Sequence, residues 1–263
     1  MSVVTQSRQA INLGMASMRM TYTVKSFFGG YMLRTLCQVV FFSSIGALAA
    51  GGEVTSFLLI GMSVYLATTL PMMASASTTW DRNAGTLSLL VASPAALAVV
   101  FLFRSWFFIL TGSVSSILAL AILIPAFGIS VSISQAALIF ALVIVAALTT
   151  YALGVACGGM ALRFPHLRNV FSTFVMTVSM MIGGFVVPLD YWPAGFQWVA
   201  QIFPGVHALS GIREVMGGGD LTVVGFHTVT AFAVAFLWLV VAALSFWWLR
   251  VHGRKVGSID FED

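Results

Sequence analysis

Charge is what this chain has least of. Lys, Arg, Asp and Glu together make up 8% of its 263 residues, against roughly 25% in ordinary soluble domains. With 60% of residues apolar and a mean hydropathy of +1.03, it lacks the polar groups to cover a water-facing surface. That excludes a soluble enzyme, a nucleic-acid-binding protein and a disordered chain, so the net charge of +4 is not a nucleic-acid footprint. Cysteine is as scarce. Cys37 and Cys157 fall in apolar runs where a thiol packs as a small hydrophobe, and two distant cysteines make neither a disulfide framework nor a zinc spacing. His166, His207, His227 and His252 are scattered without a pair four residues apart, so no metal site is expected. Lysine occurs only at Lys25 and Lys255, neither inside the Gly-x4-Gly-Lys-Ser/Thr run that cradles nucleotide phosphates. If the protein moves something uphill, the energy comes from another chain. The first 30 residues hold Arg8, Arg19 and Lys25 but no unbroken apolar run, so a cleavable signal is not expected.

What is there is a membrane protein. A helix crossing the hydrocarbon needs about 20 apolar residues, and that ruler predicts six spans. They run from about Thr35 to Ala50 (with Tyr31 as an earlier start), Val54 to Thr78, Arg104 to Ile124, Gln135 to Leu162, Val170 to Val187 and Phe226 to Leu249. Glycine pairs, prolines or charges close each run. Of the twelve basic residues, only Arg213 falls in a loop on the second side. The basic side is cytoplasmic by the positive-inside rule, with both termini inside.

The spans contain no Asp or Glu at mid-depth, where ion-coupled transporters usually keep a carboxylate. No nucleophile constellation stands out; Ser113, Ser115 and Ser116 are the small residues that let membrane helices approach. Residues 1 to about 30 mix Ile11, Leu13, Met15 and Met18 with Arg8, Arg19 and Lys25. This predicts an amphipathic helix lying at the interface, cations toward anionic head groups. Leu189 to Gly225, too long for a turn and broken by Pro193 and Pro204 after Pro188, predicts one or two short helices dipping into the outer leaflet against the bundle. Arg213 and Glu214 read as a charge pair at the outer surface, with a substrate contact as the alternative.

After the second span comes Trp80-Asp81-Arg82-Asn83-Ala84-Gly85-Thr86-Leu87-Ser88-Leu89-Leu90-Val91-Ala92-Ser93-Pro94. It resembles the acidic-x-x-x-Gly-Thr-Leu-x-x-Leu-x-x-Ser/Thr-Pro pattern found there in permeases of the type-2 ABC exporter family. A second likeness is Gly183-Gly184-Phe185-Val186-Val187-Pro188-Leu189 followed by Trp192-Pro193, Pro204 and Arg213. Together with the interfacial helix and six spans, the resemblance covers nearly the whole chain. The chain departs from it at Asn83 and Ala84, where many members carry a denser charged cluster.

The resemblance implies an all-α permease domain over residues 1–263: an interfacial helix (1–30), spans one to five (31–188) with a coupling segment at 80–94, an outer gate (189–225) and a last span (226–250). Asp81, Arg82, Gly85, Thr86, Leu87 and Leu90 would dock into a cytoplasmic ABC ATPase. Leu87, Leu90 and Val91 share one helix edge suited to a groove. Pro188, Tyr191, Trp192, Pro193, Phe196, Trp198, Phe203 and Pro204 would form the gate, or equally an aromatic belt at the interface. The implied partners are that ATPase, which would bind ATP and magnesium, a second permease copy or a related one, and membrane lipid. This chain would bind no cofactor or nucleic acid and catalyse no covalent chemistry. The implied function is export of a drug-like or lipid-like amphiphile across the cell membrane. A polysaccharide or glycolipid cargo and an ATP-independent channel are the alternatives.

Overall fold

The computed structural model describes residues 3–21, 23–50, 52–76, 97–162 and 168–256. Among these there is no strand. The elements are α1 (Val3–Thr21), α2 (Leu33–Ala50, entered through a π-helical turn Phe27–Met32), α3 (Gly52–Met72), α4 (Leu97–Arg104), α5 (Phe107–Ala126), α6 (Ile133–Ala161), α7 (Arg168–Ile182), α8 (Ala194–Ala200), α9 (Pro204–Met216) and α10 (Leu221–Val256). Five stretches are long and apolar enough to cross a membrane: Phe27–Leu48, Gly52–Ala76, Leu97–Ala126, Ile133–Ala161 and Leu221–Val251. The protein is a multi-pass membrane protein. The first span begins earlier than the sequence implies, because the π-turn carries helix back through Gly29 and Gly30.

The expected fifth span is the departure. It is a helix of 15 residues, Arg168–Ile182, about 22 Å at 1.5 Å per residue and short of a bilayer core of about 30 Å. Gly183-Gly184 ends it; Gly184 has φ 80°, in the left-handed region where a glycine costs nothing. The chain then continues without helix to Pro188.

Packing orders these elements around α3. Of the apolar windows, that of α3 is 78% buried and that of α10 only 22%, so α3 is the axis and α10 an outer wall. The helix α3 packs against α2, α5 and α6, while α10 packs against α6 and α9. Pro71 leaves the Ala67 carbonyl without its helical donor, and Gly112 of α5 comes up against that carbonyl. The helix α1 lies on α4, with Gly14 on the Arg104 carbonyl. On α1, Arg8 is exposed while Ala10 is buried. The bundle end bearing α1 is called proximal below, the opposite end distal; Gly52, Ile133 and Leu221 begin their helices at the distal end.

Candidate functional site

Pro188, Pro193 and Pro204 each stand where a short element begins. Pro188 precedes a 3-10 turn Leu189–Tyr191, Pro193 caps α8, and Pro204 is the first residue of α9, a position where its missing N–H costs nothing. Within this segment the Gln197 side-chain amide donates to the Trp192 carbonyl at 2.8 Å. The prolines thus turn residues 188–216 into a helical hairpin.

Three contacts fix how deep the hairpin goes. At its tip, a Cβ on Gly205 would sit 2.7 Å from Thr68 Cγ2 and 3.0 Å from Thr150 Oγ1. Trp238 Nε1 donates to the Ile202 carbonyl at 2.8 Å. Thr68, Thr150 and Trp238 each lie sixteen or seventeen residues from the distal start of their helices, about 24 Å along the axis. The other end of α9 returns to the distal rim, where Gln135 Nε2 at the start of α6 donates to the Val215 carbonyl at 3.0 Å. The hairpin descends into the bundle and climbs out again.

This splits the expected gate residues in two. Tyr191 (77% exposed), Trp198 (76%) and Phe196 are exposed, as are Pro188 and Pro193, while Trp192 is half-buried. Trp192 meets Tyr191 and Phe196 with ring centroids 5.8 Å apart in both pairs, so these aromatics form a surface cluster. Phe203 and Pro204 are buried at the hairpin tip. Lys25 is exposed, and Arg19 lies on α1. Asp81, Arg82, Gly85, Thr86, Leu87 and Leu90 lie outside the described residues.

Under the tip is a small cavity of about 10 Å³ bordered by Tyr65, Thr68, Thr69, Thr150 and Ser179 among apolar neighbours. That is room for about one water. Thr68 and Thr69 both donate to the Tyr65 carbonyl at 2.8 Å, and the Tyr65 hydroxyl donates to the Met176 carbonyl at 3.3 Å. Among the described residues Thr150 Oγ1 has no hydrogen-bond partner. Hydroxyls converge here at mid-bundle. Among the described residues no cluster of His, Cys, Asp or Glu could hold a metal.

Sequence reasoning placed Arg213 at the surface beside Glu214. Instead its guanidinium lies 3.7 Å over the centroid of the Phe57 ring, and its Nε and Nη2 are buried without a hydrogen-bond partner among the described residues. The Glu214 carboxylate is turned away, up against Gly219. The four-residue turn of α9 sends Arg213 inward along with the buried residues Leu209 and Ile212, the one face that i, i+3 and i+4 positions share on a helix.

The chain matches the family model described as "ABC-2 type transporter" over residues 9–216, which takes in every element from α1 to the end of α9. It is also similar to Nodulation protein J of Rhizobium meliloti (strain 1021), 37% identical over 57 residues. That stretch is 22% of this chain and 22% of the relative, so the match spans about a fifth of the relative's length.

Proposed function

The chain belongs to the ABC-2 type transporter family, and from that premise we propose that it is the permease subunit of an ATP-driven exporter carrying a drug-like or lipid-like amphiphile. Membership makes it a transmembrane transport subunit, a class that works with an ABC ATPase in general. In the proposed assembly two permease copies stand over two ATPases, the proximal end facing the cytoplasm. The basic residues Arg8, Lys25, Arg34, Arg104 and Arg250 lie toward that end, which supports the orientation. The rise of α7 beside α3 from the proximal end supports counting residues 168–187 as a sixth crossing, completed by the non-helical stretch after Ile182. Such backbone is tolerated at membrane depth only where protein covers it, and Phe185 is wholly buried.

The observation that carries the reading is the hairpin 188–216. Its tip reaches mid-depth from the distal side and sits over a cluster of hydroxyls. A plug whose tip is held by an indole hydrogen bond and apolar contacts is what alternating access calls for: a passage shut at rest and opened by work done at the proximal end. Apolar walls with a few hydroxyls suit an amphiphile better than an ion. The 80–94 segment is the proposed site of that work.

Two experiments test the proposal. The tagged chain, drawn gently from its native membrane, should bring down a P-loop ATPase in equal amount. Gly85→Asp and Leu87→Glu should each cut ATP-coupled transport at least about tenfold, the loss expected when a charge is buried in a docking groove, while membrane insertion is kept. If no ATPase is recovered from a folded chain and both variants transport normally, the exporter reading is wrong.

A further inference from the structure

Arg213 is hard to explain as a packing residue. A guanidinium taken out of water is costly unless its N–H groups are met, yet Nε and Nη2 have no acceptor among the described residues. Its surroundings are built to receive it even so. Phe57 offers a ring face at 3.7 Å, the geometry of a cation–π contact, which gains strength where water is excluded. Gly61, one turn further along α3, leaves Nη2 3.2 Å from where a Cβ would stand. Gly184 leaves Nη1 3.4 Å from the corresponding point. Both positions admit the guanidinium because they carry no side chain.

The same glycines hold a second contact. A Cβ on Gly61 would run into the Phe185 carbonyl oxygen, so the strap 183–187 rests directly on the backbone of α3. Phe185 then turns its ring against Tyr65, with centroids 5.3 Å apart at 63°, and the Tyr65 hydroxyl reaches back to Met176 on α7. Strap, α7 and α3 therefore meet along one line, and Arg213 arrives from α9 to close its distal end. Three elements, α3, the strap and the hairpin, are joined through one side chain.

We infer that Arg213 is a positioning residue for transport: stacked on Phe57 between Gly61 and Gly184, it fastens the strap 183–187 and the hairpin to α3 and holds the distal end of the pathway shut. The unmet N–H groups make the fastening reversible. A fully hydrogen-bonded arginine would weld the three elements together, whereas one held mainly by a ring face can be pulled off when α3 and α7 move apart. The sense in which the fastening closes a pathway rests on the exporter reading; the fastening itself does not.

The test uses the full chain in lipid nanodiscs, with Cys37→Ser and spin labels at Val54→Cys on α3 and Val187→Cys on the strap. The label-to-label distance is measured by pulsed electron resonance. The parent should give one narrow distance. Arg213→Gln should move the population toward a longer, broader one by roughly tenfold in the closed-to-open ratio, the scale of a desolvated cation–π contact. Phe57→Leu keeps an apolar side chain and removes the ring face, so it should act in the same direction even if the arginine variant folds poorly. Gly61→Ala should lift the strap and crowd the guanidinium together, so it too should lengthen the distance. Carboxyfluorescein leak from liposomes without ATP should rise with the long-distance population, which a merely structural loss of stability would not produce. If the distance stays unchanged in folded Arg213→Gln and Phe57→Leu proteins, the inference is overturned. If the distance lengthens while dye stays in, the fastening stands and the reading of the strap as a gate falls.

Discussion

At the residue scale, single polar side chains at helix starts decide where the hairpin is pinned. Ser132 begins α6 with a capping box shared with Gln135, and the same Gln135 uses its amide nitrogen on Val215. One glutamine thus ends one helix neatly and ties another to it. Asp220 does the corresponding work for α10: its carboxylate accepts from the Thr222 backbone N–H at 2.9 Å. That bond holds the Asp220 carboxyl below its usual 3.8. A carboxylate with a depressed pKa contributes its stability above the unfolded value and loses it as pH falls through the folded one. Acidifying from pH 5 to below about pH 3 should therefore fray the first turn of α10 and leave its middle intact. Amide exchange at Thr222 and Val223 reads this directly, and Asp220→Asn, which still caps, should remove the pH dependence while keeping the turn.

At the scale of elements, long apolar runs were legible and special backbone was not. Spans two, three, four and six follow from hydropathy alone, since each is bounded by charge, glycine or proline that no membrane helix carries inward cheaply. The fifth reads as a full helix because Val170 to Val187 carries no charge; the strap that replaces its last turn has the Phe185 carbonyl resting on Gly61 of α3, a tertiary contact that composition does not encode. The hairpin was read correctly as short helices between prolines, but its depth depends on Gly205 fitting between Thr68 and Thr150. Arg213 was misplaced for the same reason, its partners being a ring and two glycines rather than a charge. If the hairpin tip is held as its contacts imply, Trp238→Phe should loosen it by about 1 kcal/mol, the net worth of one hydrogen bond. Exchange of amides 200–206 should speed up several-fold, with little change across α3 or α6. Uniform acceleration would mean that Trp238 supports the whole fold instead.

On the whole-molecule scale, two apolar faces need covering, and they differ in what lies behind them. Phe226, Val229, Phe236, Leu237 and Leu244 are exposed along α10, which is backed by α6 and α9 and closes one flank. Phe41, Ile45, Phe174 and Met181 are exposed on α2 and α7, and these two helices flank α3, the strap and the hairpin tip. On the exporter proposal, a pathway opened by parting α7 from α3 would emerge on this second face, and a second permease copy would be needed there to keep lipid out of it. Lipid alone would suffice over α10. The proposal therefore predicts a twofold dimer closed through α2 and α7, because a single self-complementary patch is the simplest way to seal that face. In membranes holding the full chain with Cys37→Ser, a short bismaleimide should link Phe174→Cys to its counterpart and give a band of twice the mass. Phe236→Cys should stay monomeric under the same treatment and instead label with an acyl-chain photoprobe. Cross-linking through Phe236→Cys with none through Phe174→Cys would place the partner on α10, and the opening between α3 and α7 would then face lipid, a geometry suited to lateral release of an amphiphile rather than to a passage shared by two subunits.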